Sequence, residues 1–304
     1  MEPALKAGDL VDPRTLAQLK TLSVRVRRVV DGVLQGVHRS PHRGSSIEFA
    51  DHKEYSPGDE TKHIDWKAYG RMDKYYVKRF EQETNLNAWC VLDQSGSMAY
   101  GAEGALTKFD YASVVAASLG FLLLSQQDAV GVLTFSDGVQ KIIPTRSGLG
   151  HMSHICAALE GARPEERTDL SAGLRQLSEQ TRRRGVVMVF TDFFAPLEEA
   201  FGVLRQLVSR GHQVIAFHVL DGDELRFPFE EMTLFEGLET GDRLLAEPRS
   251  IRSTYMKRIE AHVEEVRRRC REGRIEPVLL DTSEPPARVL LRFLRRLQNG
   301  RVRS

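Results

Sequence analysis

The chain has 304 residues, of which 41% are hydrophobic and 28% charged. That is enough apolar material for one large domain, or one with a smaller companion, and too much for global disorder. Its 43 Lys and Arg balance 42 Asp and Glu, so no whole-chain charge draws it to nucleic acid or acidic membranes.

The first twenty residues, MEPALKAGDLVDPRTLAQLK, lack the apolar core of a signal peptide. No apolar stretch reaches the ~18 residues of a spanning helix, residues 112–124 coming nearest. Cys90, Cys156 and Cys270 lie far apart, with no CxxC, as suits a reducing compartment. The expectation is a soluble, cytoplasmic protein with no integral membrane segment.

In chain order, residues 14–34 place Leu16, Leu19, Leu22, Val26, Val29, Val30 and Val33 at helical spacing. A polar stretch over 36–85 follows, with short strands and turns expected. Within it Ser56-Pro57-Gly58-Asp59 reads as a turn and Trp66 as a packing anchor. Residues 1–85 are therefore read as an N-terminal helix and β-rich segment. Residues 86–304 are read as an α/β domain with a C-terminal helical extension.

From Asn87 onward, short apolar runs alternate with helical patterns. The runs are AWCVLD (88–93), AVGVLTF (129–135), VVMVFTD (186–192), VIAFHVLD (214–221) and EPVLLD (276–281). Near-continuous apolarity is how strands buried on both faces of a parallel sheet read. Helices are expected over FDYASVVAASLGFLLLSQ, LSAGLRQLSEQTRRRG, PLEEAFGVLRQLVSRG and TYMKRIEAHVEEVRRRCREG. The fold class is thus α/β, a doubly wound, mostly parallel sheet with helices on both faces. Ser136-Asp137-Gly138 predicts a hairpin into an antiparallel edge strand.

Four apolar runs end in aspartate: Asp93, Asp192, Asp221 and Asp281. The ordinary role of such an Asp is to cap a helix. Asp93 differs because Ser95 and Ser97 follow at alternate positions, where their oxygens can converge. A carboxylate with two hydroxyls suits Mg²⁺, with Mn²⁺ or Ca²⁺ as alternatives, rather than zinc. Two further oxygen-bearing loops, around Thr168 and Asp192, are expected at the same sheet edge.

Asp93, Ser95 and Ser97, with Thr168 and Asp192 following, resemble the metal-ion-dependent adhesion site of von Willebrand factor A domains. The resemblance implies that Ser95 and Ser97 bind a divalent cation directly. Asp93 and Asp192 would hold it largely through waters, and Thr168 would join when a ligand is bound. It also implies a partner protein that offers an acidic residue to the metal.

A second resemblance rests on Tyr55-x-Pro57-Gly58-Asp59, Ile64-Asp65-Trp66 and Val77-Lys78-x-Phe80-Glu81, placed just before the Asp93 strand. These resemble the signature of the bacterial domain of unknown function 58 family, over residues 36–297. That likeness implies association with a MoxR-type AAA+ ATPase.

The reading is a non-enzymatic adaptor with no catalytic residue, acting in assembly or remodelling of a client protein. The alternative is a metal-dependent phosphohydrolase using Asp93 as phosphoryl acceptor. Against it, the haloacid-dehalogenase-like pattern needs a second acid where this chain has Ser95. The pairs His38/His42, His52/His63 and His151/His154 read as solvated or hydrogen-bonded histidines. Residues 288–304 hold six arginines and no acid, but Val289, Leu290, Phe293, Leu294 and Leu297 form an apolar stripe. The arginines are thus the wet face of a terminal helix, with no nucleic-acid role.

Overall fold

The computed structural model describes residues 12–38, 52–54, 76–78, 86–164, 170–181 and 183–301. A single helical turn, α1 (Pro13–Ala17), precedes α2 (Leu22–His38). Strands β1 (His52–Glu54) and β2 (Tyr76–Lys78) pair antiparallel within a separate small unit, residues 40–85. The expected turn at 56–59 and Trp66 lie outside the described residues.

The main sheet begins with β3 (Asn87–Asp93), β4 (Ala129–Phe135), β5 (Val139–Arg146), β6 (Val186–Thr191) and β7 (Gln213–Leu220). A ribbon of β8 (Thr233–Glu236) and β9 (Arg243–Ala246) stands apart, and β10 (Glu276–Asp281) returns to the sheet. The sheet order is β10-β7-β6-β3-β4-β5. Five strands are parallel, and β5 runs antiparallel at the edge after the Ser136–Gly138 turn.

The apolar runs are explained by burial on two sides. Along β3, Ala88, Cys90 and Leu92 face one core, while Trp89 and Val91 face the other. On the first face lie α3 (Lys108–Ser125), α4 (Met152–Gly161) and α9 (Pro286–Arg301). On the second lie α5 (Leu170–Gln180), α6 (Leu197–Ser209) and α8 (Pro248–Glu272). A one-turn helix, α7 (Gly222–Arg226), follows β7.

Helix α2 does not belong with the 40–85 segment, as the sequence reading had it. Its Leu22, Val26, Val29, Val30 and Val33 are buried in the first core, within the α/β unit. The Leu22 N–H donates to Glu160 Oε1 on α4 at 2.5 Å. This third layer explains why α3 is apolar nearly all round: the sheet covers one side, α2 and α9 the other. By length and composition α3 could span a membrane, a feature that counting only residues 112–124 missed, yet 72% of it is buried inside the fold.

The β8–β9 ribbon and α4 went unforeseen. Phe235 of the ribbon packs on Phe227 and Phe229, while Leu234, Leu244 and Leu245 are exposed. The terminal helix buries Val289, Leu290 and Phe293, as its stripe predicted.

Candidate functional site

From β3 the chain moves to β4 and β5 on one side. It then returns to the other side of β3 with β6, β7 and β10. In open α/β sheets, ligands bind outside the carboxyl ends of the strands where the order reverses. Here that crevice lies between β3 and β6, the strands that lead into Ser95 and Asp192.

Four neighbouring parallel strands end in aspartate, and all four make the same turn. Asp93 accepts from Ser95 N–H at 2.9 Å, Asp192 from Phe194 N–H at 3.1 Å, Asp221 from Asp223 N–H at 2.9 Å and Asp281 from Ser283 N–H at 2.9 Å. Such Asx turns end the strand and start the next element. Asp221 goes further and forms a capping box with Glu224.

Asp93 and Asp192 are set apart by their other neighbours. The Ser95 and Ser97 hydroxyls lie 3.1 Å apart, and Ser97 is near enough to Asp192 to help hold that carboxyl down. Thr191 donates to Asp93 Oδ2 at 2.5 Å while accepting from Phe193 N–H at 3.1 Å, so one hydroxyl ties the two loops together. Four of the five residues singled out in the sequence therefore meet: Asp93, Ser95, Ser97 and Asp192. Thr168 lies outside the described residues. Asp93, Ser95 and Asp192 are buried, whereas Ser97 is partly exposed, giving the cluster a face toward solvent.

Phe193 holds this loop in an unusual shape. Its φ is +57°, left-handed for a residue with a side chain, which costs on the order of 1–3 kcal/mol. Its fully buried ring offsets that by packing 5.5 Å from Phe201 and 5.7 Å from His218. The conformation turns the chain so that the Phe194 N–H returns to Asp192.

A residue absent from the sequence reading completes the site. Lys108, the first residue of α3, is 0% exposed. Its Nζ lies 2.9 Å from Asp192 Oδ2, 2.7 Å from Glu224 Oε1 and 4.9 Å from the centre of the Phe194 ring. Thr107 caps that helix by accepting from Asp110 N–H, an arrangement that makes no use of the lysine. A cation in a helix's first turn opposes the macrodipole, and this misfit in TKFD is the signal that could have flagged it.

The electrostatics follow from burial and neighbours. Burial and the Asp192 charge push the Asp93 carboxyl up to about 7, against hydrogen bonds from Thr191 and Ser95. Burial also opposes ionisation of Asp192. Lys108, with hydrogen bonds from Lys108, Ser97 and Phe194, outweighs it and holds this carboxyl below its usual range. Burial works against the Lys108 ammonium too, but Asp192 and Glu224 overcome it and hold its pKa up. Glu224 is held up by burial, which exceeds the pull of a lysine it must share. His262 reaches the Asp192 carbonyl at 3.1 Å.

Among the described residues no three His, Cys, Asp or Glu side chains are grouped to hold a metal ion. The donors at this crevice are instead half hydroxyl. Two buried carboxylates that oppose each other's ionisation, with two converging hydroxyls, form a hard-oxygen set of the kind Mg²⁺ or Ca²⁺ takes. A separate cleft of about 550 Å³ lies along edge strand β10, lined by His218, Arg267, Val278, Arg292, Phe293 and Arg296 among others. None of the four clustered residues lines it.

Comparison with known proteins places the chain in a family. The uncharacterized protein Rv1480 of Mycobacterium tuberculosis is 28% identical over 302 residues, spanning 98% of this chain and 94% of its own. The uncharacterized protein Mb1516 of Mycobacterium bovis matches to the same extent. An aerotolerance-related membrane protein from Bacteroides fragilis, solved with multiple mutations to serines, is similar at a TM-score of 0.46 and 17% identity, over 67% of this chain and 95% of that one. BatB from Bacteroides thetaiotaomicron gives 0.46 and 14%, over 70% and 99%. Residues 51–265 match the family described as protein of unknown function DUF58, and the chain belongs to that family.

Proposed function

We propose that the chain is a non-enzymatic, metal-dependent interaction protein with a von Willebrand factor A-like domain. The observation that carries this reading is the convergence of Ser95, Ser97, Asp93 and Asp192 at the carboxyl ends of β3 and β6. Ser95 and Ser97 would bind the ion directly, with Asp93 and Asp192 behind them and Thr168 joining when a ligand is bound. The ion, Mg²⁺ in the first instance, supplies an electrophilic position for an acidic side chain of another protein. Neutral hydroxyls leave much of its charge unspent, and the partly exposed Ser97 gives that acid a way in. Ser95 and Ser97 orient the donors, and the Thr191 hydroxyl fixes the Asp93 carboxyl against the neighbouring loop.

The partner comes from the family resemblance, a MoxR-type AAA+ ATPase acting on a client protein, and the cytoplasmic setting from the dispersed cysteines. The test is Mn²⁺ binding followed by electron paramagnetic resonance, with Mg²⁺ competition, on wild type, Ser97→Ala and Asp192→Asn. Saturable binding at one site, lost or weakened tenfold or more in both variants, is expected. Equal binding by all three proteins refutes the assignment.

The competing reading is a metal-dependent phosphohydrolase with Asp93 as acceptor. Lys108 beside Asp192 favours it, since a buried ammonium can stabilise a transferring phosphoryl group. Metal-dependent turnover of phosphate esters, abolished by Asp93→Asn, would establish that reading in place of the first.

A further inference from the structure

We propose that Lys108 is a built-in cation that competes with the divalent ion for the charge of Asp192, and so sets how weakly the site holds metal. This rests on the metal reading above and concerns its regulation. The observation is the placement of one ammonium on two acids, fully out of water, at the edge of the oxygen cluster.

The helix does not need this lysine, and its first turn disfavours a cation there. A buried ammonium is costly unless it is paired and hydrogen-bonded. Lys108 is paired twice, with Asp192 and Glu224. Glu224 cannot follow the lysine elsewhere, because its other oxygen accepts from Asp221 N–H at 2.7 Å in the capping box. The ammonium is therefore anchored from behind by Glu224 and leans on Asp192 in front.

An ion at Ser95 and Ser97 would draw on that same carboxylate, whose two oxygens already accept from Lys108 and from Phe194 N–H. Two cations sharing one carboxylate repel each other, so each loosens the other. A site built this way releases its ion readily and strengthens its hold only when a partner's acid adds negative charge.

The experiment compares Mg²⁺ and Mn²⁺ affinity of wild type, Lys108→Met and Glu224→Gln by calorimetry and paramagnetic resonance, with circular dichroism confirming the fold. Lys108→Met removes the competing charge, and its affinity is expected to rise about tenfold or more. Glu224→Gln keeps the acceptor for Asp221 N–H but throws the ammonium wholly onto Asp192, so affinity is expected to fall several-fold. Opposite shifts are the signature, since a merely structural role would weaken both variants. A folded Lys108→Met protein with unchanged or weaker affinity overturns the proposal. If Lys108→Met folds only when metal is added, Glu224→Gln decides alone, and affinity equal to wild type overturns it. Binding by Lys108→Met where wild type shows none supports it strongly. No binding by any of the three sinks the metal reading itself, and this proposal with it.

Discussion

Asp93 offers a quantitative test of the site's electrostatics. In the unfolded chain its carboxyl ionises near 3.8, and in the fold burial and Asp192 push that up to about 7. Between those values the folded protein keeps a proton that the unfolded chain has lost. Stability therefore falls as pH rises through this window, and is level below and above it. At ~1.4 kcal/mol per pH unit over roughly three units, the metal-free protein loses about 4 kcal/mol to this one group. His218 acts with the opposite sign over the same range. Burial, then His262, push it down to about 3, so the fold gains as pH rises through that interval. The total pH profile therefore hides the effect, and the informative quantity is a difference.

Asp93→Asn is nearly isosteric. Its carbonyl can still accept from Ser95 N–H, and the Thr191 hydroxyl can turn to accept from its amide. Urea unfolding in EDTA at several pH values should show the variant gaining on wild type by about 4 kcal/mol between pH 4 and 8. On the metal reading, Mg²⁺ at pH 8 then restores wild type and leaves Asp93→Asn unchanged. A stability difference that is flat with pH would refute the reasoning, because it would mean Asp93 is ionised in the fold throughout.

Gly173→Ala should destabilise by ~1–3 kcal/mol in denaturant unfolding, because a Cβ there would meet the Phe135 side chain at 2.6–2.9 Å. Leu204→Ala, at a fully buried position of α6, should cost ~2–5 kcal/mol in the same assay. Burial pushes the Cys90 and Cys270 thiols up to about 12 and Cys156 to about 11, so the native protein should react with a thiol reagent only as fast as it opens, and fully in urea. A chain beginning at residue 40 lacks α2 and uncovers the outer face of α3. It should aggregate or bind a hydrophobic dye where the full chain does not, and a monomeric, dye-silent product would show that α2 is dispensable.

The parts of the fold that were readable in the sequence are those where burial leaves a one-dimensional trace. Strands β3, β4, β6 and β7 are covered on both faces, so alternation vanishes and a short apolar run remains. The β8–β9 ribbon left no such trace, because Leu234, Leu244 and Leu245 are exposed and its inward Phe235 closes a local aromatic cluster instead. Helix α2 was recognised as a helix but assigned to the wrong piece. Periodicity reports that one face is buried and is silent about what buries it.

The site divides along the same line. A strand-end aspartate means little alone, since all four at this edge make the same turn to the N–H two residues on. Their second partners separate them. Asp221 is met by the Thr282 hydroxyl and Asp281 by Arg226, arrangements complete in themselves. Asp93 and Asp192 sit close enough that the Asp192 charge raises the cost of ionising Asp93, while Lys108 pairs with Asp192. Asp93 thus carries the cost of burial and of the Asp192 charge beside two converging hydroxyls. The serine spacing after Asp93 was visible in the sequence. The pairing of Asp192 was not, because it depends on Lys108, 84 residues earlier in the chain.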